Sequence, residues 1–281
     1  MHKFIFQVLG LFLIALALVL SHPSGAKAVG ELNKLKAAGK IRVAVFSDKI
    51  PFGYVDEFGV NQGYDVYFAH RIALDLFGSP DKVEFVLVEA AARAEVLKAD
   101  KADLVLANYT VTPERAQNVD FALPYMKVAL GVASPANAPI TDVSQLAGKK
   151  LIVNKGTTAD IYFTQFHPEV ELIKYDQNTE AFNALRDGRG AALAHDNTLL
   201  FAWVRETPGF VTAIEFLGSQ DTIAPAVKKG NTELLNWINT EIRTLTEQNF
   251  FVEAYNATLL PVYGESVDPR SVLLNSEELP K

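Results

Sequence analysis

Short apolar runs alternate along the chain with stretches in which apolar residues recur at helical spacing. The runs predict strands at Ile41–Phe46, Val83–Val88, Asp103–Asn108, Val128–Ser134, Lys150–Val153, Glu171–Tyr175 and Gly190–His195. The helical stretches are Tyr64–Phe77, Ala91–Ala99, Thr179–Asp187 and Asn231–Gln248. Because strand–helix alternation is typical of α/β proteins with largely parallel sheets, the pattern predicts an α/β fold.

The amino-terminal segment, residues 1–28, has a pattern of its own. A short basic start precedes the apolar run Phe4–Leu20, and Ala26–Ala28 follows with small residues at both ends. This order is typical of a secretory signal peptide that is cleaved after Ala28. The alternative is an uncleaved membrane anchor, but the run is short against the about 20 residues that span a bilayer. We therefore expect the mature chain to lie in the periplasm.

Composition narrows the class of protein. The chain has no cysteine, which excludes a lipid-modified Cys, a Cys-ligated zinc ion and a Cys nucleophile. Cleavage after residue 28 removes Lys3 and Lys27, which leaves 24 basic and 33 acidic residues and a net charge of −9. Nucleic acid is therefore not an expected partner. A metal site is not expected either, because the mature histidines lack the spacing of metal ligands on a helix face. No other cofactor is expected, since the chain has no Walker or G-x-G-x-x-G pattern.

A weak internal repeat suggests two similar lobes. Leu97–Thr110 resembles Leu185–Thr198, and each copy runs from a helix end through a basic turn into an apolar strand with a polar end. In this register Asn108 corresponds to Asp196. We assign 29–128 plus 226–268 to one lobe, 129–225 to the other and 269–281 to a loose C-terminal tail. Since ligands of open α/β sheets bind beyond the carboxyl ends of the strands, two facing lobes predict a cleft.

Arg115 lies in the most informative stretch for ligand binding. Thr112 is a natural N-cap and Pro113 suits the first helical position, so a helix should begin here. A cation in the first turn opposes the helix dipole unless it recruits an anion. Arg115 and the helix N–H groups can then bind a carboxylate together. Pairing of Arg115 with Glu114 or Asp120 on the surface remains the alternative.

Two other polar segments follow predicted strands. Thr157 and Thr158 open a helix after Lys155-Gly156 and can bind an anion, or Thr157 simply caps that helix with Asp160. Asp196 ends a strand and can accept hydrogen bonds from an ammonium group, or it is an ordinary N-cap. His195 beside it suggests a catalytic dyad, but adjacent strand residues should point to opposite faces.

The loop after the first strand offers an apolar wall. Phe52 or Tyr54 can cover one side of a ligand, and ordinary core packing is the alternative for both aromatic side chains.

In combination, these elements resemble the polar amino-acid-binding family of periplasmic proteins that serve ABC importers. The resemblance covers the mature chain and is carried by IRVAVFSDKIPFGY, NQGYDVYFAHRIA, LANYTVTPERAQNVDFALPYMKVALGV, KGTTADIYFTQ, KYDQNTEAFNALRDGRGAALAHDNTLLFAWV and IAPAVKKG. The sequences of these segments are most similar to those of the cysteine-binding subgroup of this family. It implies a two-lobed periplasmic binding protein type II fold with two hinge-strand crossovers, no cofactor and no catalysis. The implied partners of the monomer are a free L-amino acid and a membrane permease.

The resemblance also implies site roles. Arg115 would bind the ligand α-carboxylate with help from Thr110 and the backbone at Thr158. Asp196 would receive the α-ammonium group, and the region around Asn108 would add hydrogen bonds. Thr157 and Thr158 would close the carboxylate end from the second lobe.

The chain departs from the family pattern at Lys49, where many members have an aromatic residue two positions before a proline. Phe52 or Tyr54 can replace that aromatic lid, and Lys49 leaves room for an acidic ligand. The subgroup resemblance makes L-cysteine the first expectation and cystine the next, and Lys49 makes glutamate and aspartate further alternatives. A dehydratase acting on arogenate or prephenate is the competing class, and its general acid would be Glu89 or Asp48.

Overall fold

The computed structural model describes residues 30–280 of the chain. The predicted signal peptide lies outside the described residues. The strands are β1 Ile41–Val45, β2 Asp48–Lys49, β3 Gly53–Val55, β4 Asn61–Gln62, β5 Val83–Leu87, β6 Leu104–Val105, β7 Val119–Phe121, β8 Met126–Pro135, β9 Lys150–Asn154, β10 Glu171–Tyr175, β11 Ala192–Asp196, β12 Phe210–Ile223 and β13 Ala226–Lys228.

Helices cover the sheets and connect their strands. They are α1 Glu31–Ala38, α2 Tyr64–Phe77, α3 Arg93–Lys98, α4 Pro113–Ala116, α5 Thr158–Phe166, α6 Asn178–Arg186, α7 Asn197–Glu206, α8 Thr232–Glu247, α9 Phe250–Ala254 and α10 Leu260–Tyr263, with a π-helical turn at Tyr255–Leu259. No helix within residues 30–280 is long and apolar enough to cross a bilayer. The predicted α/β class is confirmed.

Two five-stranded sheets form the cores of two lobes. The first has the order β5-β1-β6-β13-β7, and the second has the order β10-β9-β11-β8-β12. In each sheet the first three strands are parallel, and the next strand runs antiparallel to them. The carboxyl ends of the parallel strands are therefore free to present polar residues. A small antiparallel sheet, β2-β3-β4, belongs to the first lobe.

The chain crosses between the two sheets twice, at residues 122–125 and 224–225. The crossings lie side by side, since the Tyr125 N–H donates to the Ile223 carbonyl at 3.0 Å and the Ala122 N–H donates to the Pro225 carbonyl at 2.8 Å. Paired crossings of this kind are suited to a hinge. The lobe division into 29–128 plus 226–268 and 129–225 stays a prediction.

Helix α2 shows how the sequence pattern builds the first lobe. Its predicted and observed bounds agree, and one face, including Phe68 and Ile72, is fully buried. Gly78 ends the helix with a φ of 76°, a left-handed conformation in which its N–H donates to the Leu74 carbonyl at 2.7 Å. Apolar residues on one side thus fix the helix against the sheet.

The expectation of a loose tail is wrong. Val272 is fully buried, and its carbonyl accepts a hydrogen bond from the Lys127 N–H at 2.7 Å. The Lys127 ammonium also pairs with Glu278 at 2.6 Å, and Leu279 is 6% exposed. The tail is held because its few apolar residues pack beside the first residues of β8.

Candidate ligand-binding site

Lys49 joins the two lobes at the ends of two strands. Its ammonium donates to the Asn108 side-chain carbonyl at 2.7 Å and to the Asp196 carboxylate at 2.9 Å. Asn108 follows β6 of the first lobe with a φ of 45°, and Asp196 ends β11 of the second lobe. The two positions that correspond in the sequence repeat therefore meet at one ammonium group.

The Lys49 ammonium lies in an apolar setting. Its side chain is 2% exposed, and the nitrogen is 5.1 Å from the Phe46 ring centre and 5.9 Å from the Phe52 ring centre. Phe52 is fully buried and packs in the core, as the packing alternative expects, yet it also forms one wall beside Lys49. A cation held between aromatic faces gains from their negative quadrupoles.

The charges of this pair depend on each other. Burial alone would raise the pKa of Asp196, but the nearby Lys49 outweighs it, with smaller contributions from His195 and Arg93, and lowers this pKa to about 2. Burial lowers the pKa of Lys49, while the Asp196 charge acts in the opposite direction. With its pKa lowered, the Asp196 carboxyl is ionised at neutral pH, and its charge 2.9 Å from the Lys49 nitrogen favours the ammonium form.

Arg115 points into the interior from the first turn of α4. Thr112 caps this helix by accepting the Arg115 N–H at 3.2 Å, as predicted. The guanidinium donates to the Thr110 carbonyl at 2.8 Å and, across the lobes, to the Gly156 carbonyl at 2.9 Å. Arg115 is 8% exposed, so the alternative of a surface pair with an acidic neighbour is wrong.

Guanidinium has five N–H donors, and the contacts of Arg115 just described use two of them. The remaining donors suit a carboxylate. The charge of Asp196 is close enough to raise the pKa of Arg115, although burial is the larger effect and leaves that pKa lowered. The Asp196 carboxylate is thus close enough to the Arg115 guanidinium to act on it electrostatically.

Sequence reasoning missed Arg93. Its guanidinium lies 4.2 Å from the Tyr109 ring centre and donates to the carbonyls of Asn108 at 3.0 Å and Gly156 at 3.3 Å. Burial and then the charge of Arg115 lower the pKa of Arg93 to about 9. Its only sequence signal is an arginine among alanines at the start of a predicted helix. Arg93 thus binds backbone carbonyls of both lobes close to Arg115.

The Gly156 turn brings the second lobe against this cluster. Thr157 caps α5 by accepting the Asp160 N–H at 3.2 Å and donates to the Asn154 carbonyl at 2.7 Å, so its hydroxyl serves the turn as the capping alternative expects. The Thr158 hydroxyl instead faces Asp196, with 3.4 Å between the two oxygens. Of the two threonines, Thr158 is thus the one whose hydroxyl contacts the charged cluster.

Asp196 stands at the N-cap position of α7, but its carboxylate makes no capping hydrogen bond. The N-cap alternative for the side chain is therefore wrong. Within the described chain, the carboxylate contacts Lys49 and Thr158, which come from different lobes.

His195 and Asp196 do not point to fully opposite faces. The His195 Nδ1 atom is 3.6 Å from the Asp196 carboxylate and accepts the Asp196 N–H at 2.7 Å. The expected alternation is wrong here because Asp196 ends the strand and begins a helix. Burial, with Lys49 nearby, lowers the pKa of His195 to about 3, so the ring is neutral.

Two predicted residues differ in their relation to the cluster. Thr110 is 2% exposed and contributes its carbonyl, which accepts from Arg115. Tyr54 lies in β3 opposite Asp48, is half-buried, and makes no hydrogen bond to the other predicted site residues. The structure brings the remaining candidates together and leaves Tyr54 outside.

A sizeable cavity of the structure lies apart from the predicted site residues. A cavity of about 720 Å³ lies between α7, β12 and residues 266–271, and none of the predicted site residues lines it. We place the candidate site at the charged cluster instead, because the buried Arg115 guanidinium donates to the carbonyls of Thr110 and Gly156, and a buried charge costs free energy unless an opposite charge compensates it. The fold and this cluster together are typical of a two-lobed protein that binds a small polar solute.

Comparison with known proteins agrees with that class. The model of bacterial extracellular solute-binding proteins, family 3, matches residues 41–257, and the chain belongs to this family. The family and the type II periplasmic binding fold that the sequence resemblance implies are confirmed.

Related proteins bind amino acids. The structure of a solute receptor for L-cysteine from Neisseria gonorrhoeae is 60% identical with a TM-score of 0.86, and the match covers 87% of this chain and 99% of that one. A cysteine-binding protein from Campylobacter jejuni is 56% identical with a TM-score of 0.86, over 88% and 99%. A glutamine-binding protein of a Bacillus subtilis ABC transporter is 29% identical over 89% of this chain and 96% of its own length.

Proposed function

We propose that this chain binds one free L-amino acid between its lobes and delivers it to the permease of an ABC importer. One observation carries the proposal. The Arg115 guanidinium and the Asp196 carboxylate belong to one buried cluster to which both lobes contribute. A zwitterion carries the complementary charges.

The assigned roles follow from donor and acceptor chemistry. Arg115 binds the α-carboxylate, and the N–H groups at the start of α5, beside Thr158, add donors to it. Asp196 accepts from the α-ammonium group. The Asn108 amide nitrogen is buried without a hydrogen-bond partner among the described residues, so a ligand acceptor would satisfy it.

L-cysteine is the ligand that we propose. The two relatives at 60% and 56% identity are named for L-cysteine or cysteine binding. The setting of Lys49 also favours a short side chain, since the ammonium contacts Asp196 and has two aromatic rings, Phe46 and Phe52, near it. Cystine, glutamate and aspartate are the alternatives for the same binding assay.

Closure of the lobes is part of the proposed mechanism. Asp48 of the first lobe accepts the Thr179 N–H at 3.0 Å and the Asn178 amide at 2.8 Å, at the start of α6 in the second lobe. Gln177 donates across the lobes to Glu89 at 2.6 Å. A ligand that contacts both walls binds the closed state better and shifts the equilibrium toward it. The permease would recognise that state.

The same contacts weigh against the dehydratase. Asp48 and Glu89, the two candidates for its general acid, are tied to α6 and to Gln177 rather than directed to the Arg115–Asp196 cluster. We therefore propose a binding protein without catalytic turnover, a periplasmic monomer after cleavage at residue 28.

Calorimetric titration with L-cysteine tests this function. Arg115→Met should weaken binding at least about 100-fold, because two charge-assisted hydrogen bonds are lost. Asp196→Asn should do the same through loss of the negative charge. We choose Asn rather than Ala because alanine would leave the buried Lys49 ammonium without an acceptor and would destabilise the fold. Arg189→Met, at an exposed arginine paired with Asp187, is the control. Unchanged affinity in both site variants would refute the proposal.

A further inference from the structure

We infer that Lys49 selects the ligand side chain: its ammonium excludes cationic amino acids and donates a hydrogen bond to an acceptor at the γ position. This inference rests on the proposed function and names the class of amino acid that the site accepts. The inference is drawn from the burial of Lys49 and its contact with Asp196, the proposed partner of the α-ammonium group.

The Lys49 nitrogen and the Asp196 carboxylate are 2.9 Å apart. A ligand whose α-ammonium group contacts Asp196 therefore has its Cα, and the side chain on that Cα, near Lys49. Phe46 and Phe52 flank the ammonium, which leaves little room for a long chain in this direction. The γ atom of a short side chain is three bonds from the α-nitrogen on Asp196 and is therefore within reach of the Lys49 nitrogen.

The Lys49 ammonium has a hydrogen-bond donor left for a ligand. An ammonium group has three N–H donors. Lys49 directs two of them to Asn108 and Asp196, and within the described residues one remains. A sulfur or hydroxyl oxygen at the γ position can accept it. A methyl group in the same place would leave a buried donor unsatisfied, which costs affinity.

The buried charges of the cluster also bear on the ligand side chain. Lys49, Arg93 and Arg115 are buried around the cluster, and Asp65 and Asp196 are the buried acids that face them. A further cation brought beside Lys49 would meet like charge at short range in a medium of low dielectric constant. An ornithine or arginine side chain is thus rejected, whereas a neutral or anionic side chain is not.

A calorimetric panel of three probes tests the inference. L-2-aminobutyrate has the shape of L-cysteine with a methyl group in place of the thiol, and L-ornithine carries a cation. The wild-type protein should bind L-cysteine at least about tenfold more tightly than L-2-aminobutyrate and should show no L-ornithine binding. Lys49→Met should reduce the first preference to within about twofold and should admit L-ornithine.

Lys49→Gln is the more conservative variant, because its amide has two N–H donors that can keep the contacts with Asn108 and Asp196. With neither the charge nor a third donor, this variant should admit L-ornithine and should also reduce the preference for L-cysteine to within about twofold. Lys150→Met, at an exposed lysine of β9, is the matched control and should leave the ranking unchanged. If Lys49→Met does not fold, as judged by circular dichroism, Lys49→Gln decides.

Two failures can be told apart. Folded Lys49 variants that keep the wild-type ranking would overturn the inference and leave the proposed function intact. A folded wild-type protein that binds neither L-cysteine nor any other amino acid would overturn the proposed function, and the inference with it.

Discussion

Asp65 is a fully buried carboxylate directly behind Asn108. It accepts the Asn108 N–H at 2.9 Å and the Tyr125 hydroxyl at 2.6 Å. Burial nevertheless raises the pKa of Asp65 to about 7, above its ordinary value, with the hydrogen bonds acting in the opposite direction. This residue therefore links the stability of the site to pH.

The sign of that linkage follows from the raised pKa of Asp65. The folded protein holds a proton that the unfolded chain releases, so the stabilisation is present at low pH and is lost as pH rises through 7. Between about pH 4 and about pH 8, the wild-type free energy of unfolding should fall relative to Asp65→Asn by up to about 4 kcal/mol. Urea unfolding across this range measures the difference. Parallel pH profiles of the two proteins would contradict the assignment.

Single residues differ in how far the sequence predicts them. Arg115 is conspicuous because a cation opposes the dipole at a helix start, and Asp196 because a polar residue ends an apolar strand. Arg93 shows the same conflict at the start of α3, but no capping residue precedes it, and Asp65 shows no such conflict. Their roles depend on carbonyls and hydroxyls brought close by tertiary packing, as Tyr125 is to Asp65.

The turn into α5 illustrates the element scale. Gly156 has a φ of 72°, and a Cβ atom there would lie 2.7 Å from Ala91 Cα in the other lobe. The turn therefore suits the approach of two backbones as well as a left-handed conformation.

Gly156→Ala should weaken L-cysteine binding at least about tenfold, because the added methyl group obstructs closure. Gly148→Ala is the matched control, since Gly148 has a φ of 71° and open space around its Cβ position. Both variants should lose about 1 kcal/mol of unfolding free energy from backbone strain. Equal affinities in calorimetric titration would show that this approach does not limit binding.

Elements with regular patterns were predictable and irregular ones were not. The bounds of α2 and β10 agree with the hydrophobic pattern. Strand β12 escaped recognition because its pairing with β8 shifts register three times between Thr212 and Asp221, which breaks the two-residue alternation. Strands β2, β3 and β4 are two or three residues long, too short for any period.

At the scale of the whole molecule, strand–helix alternation predicted the α/β class, and the internal repeat predicted two similar halves. The closed arrangement of the lobes depends on contacts that no sequence pattern shows, such as Lys49 with Asp196 and Asp48 with the start of α6. The packed C-terminal segment depends likewise on its contact with Lys127. Long-range pairing is thus the part that required the structure.

The central claim is that both lobes hold one zwitterion between Arg115 and Asp196. A crystal structure of the mature protein grown with L-cysteine tests it most directly. We predict a single ligand with its α-carboxylate on the Arg115 guanidinium and its α-ammonium group on the Asp196 carboxylate. A ligand bound in the cavity between α7 and β12, or one that contacts neither residue, would contradict the account.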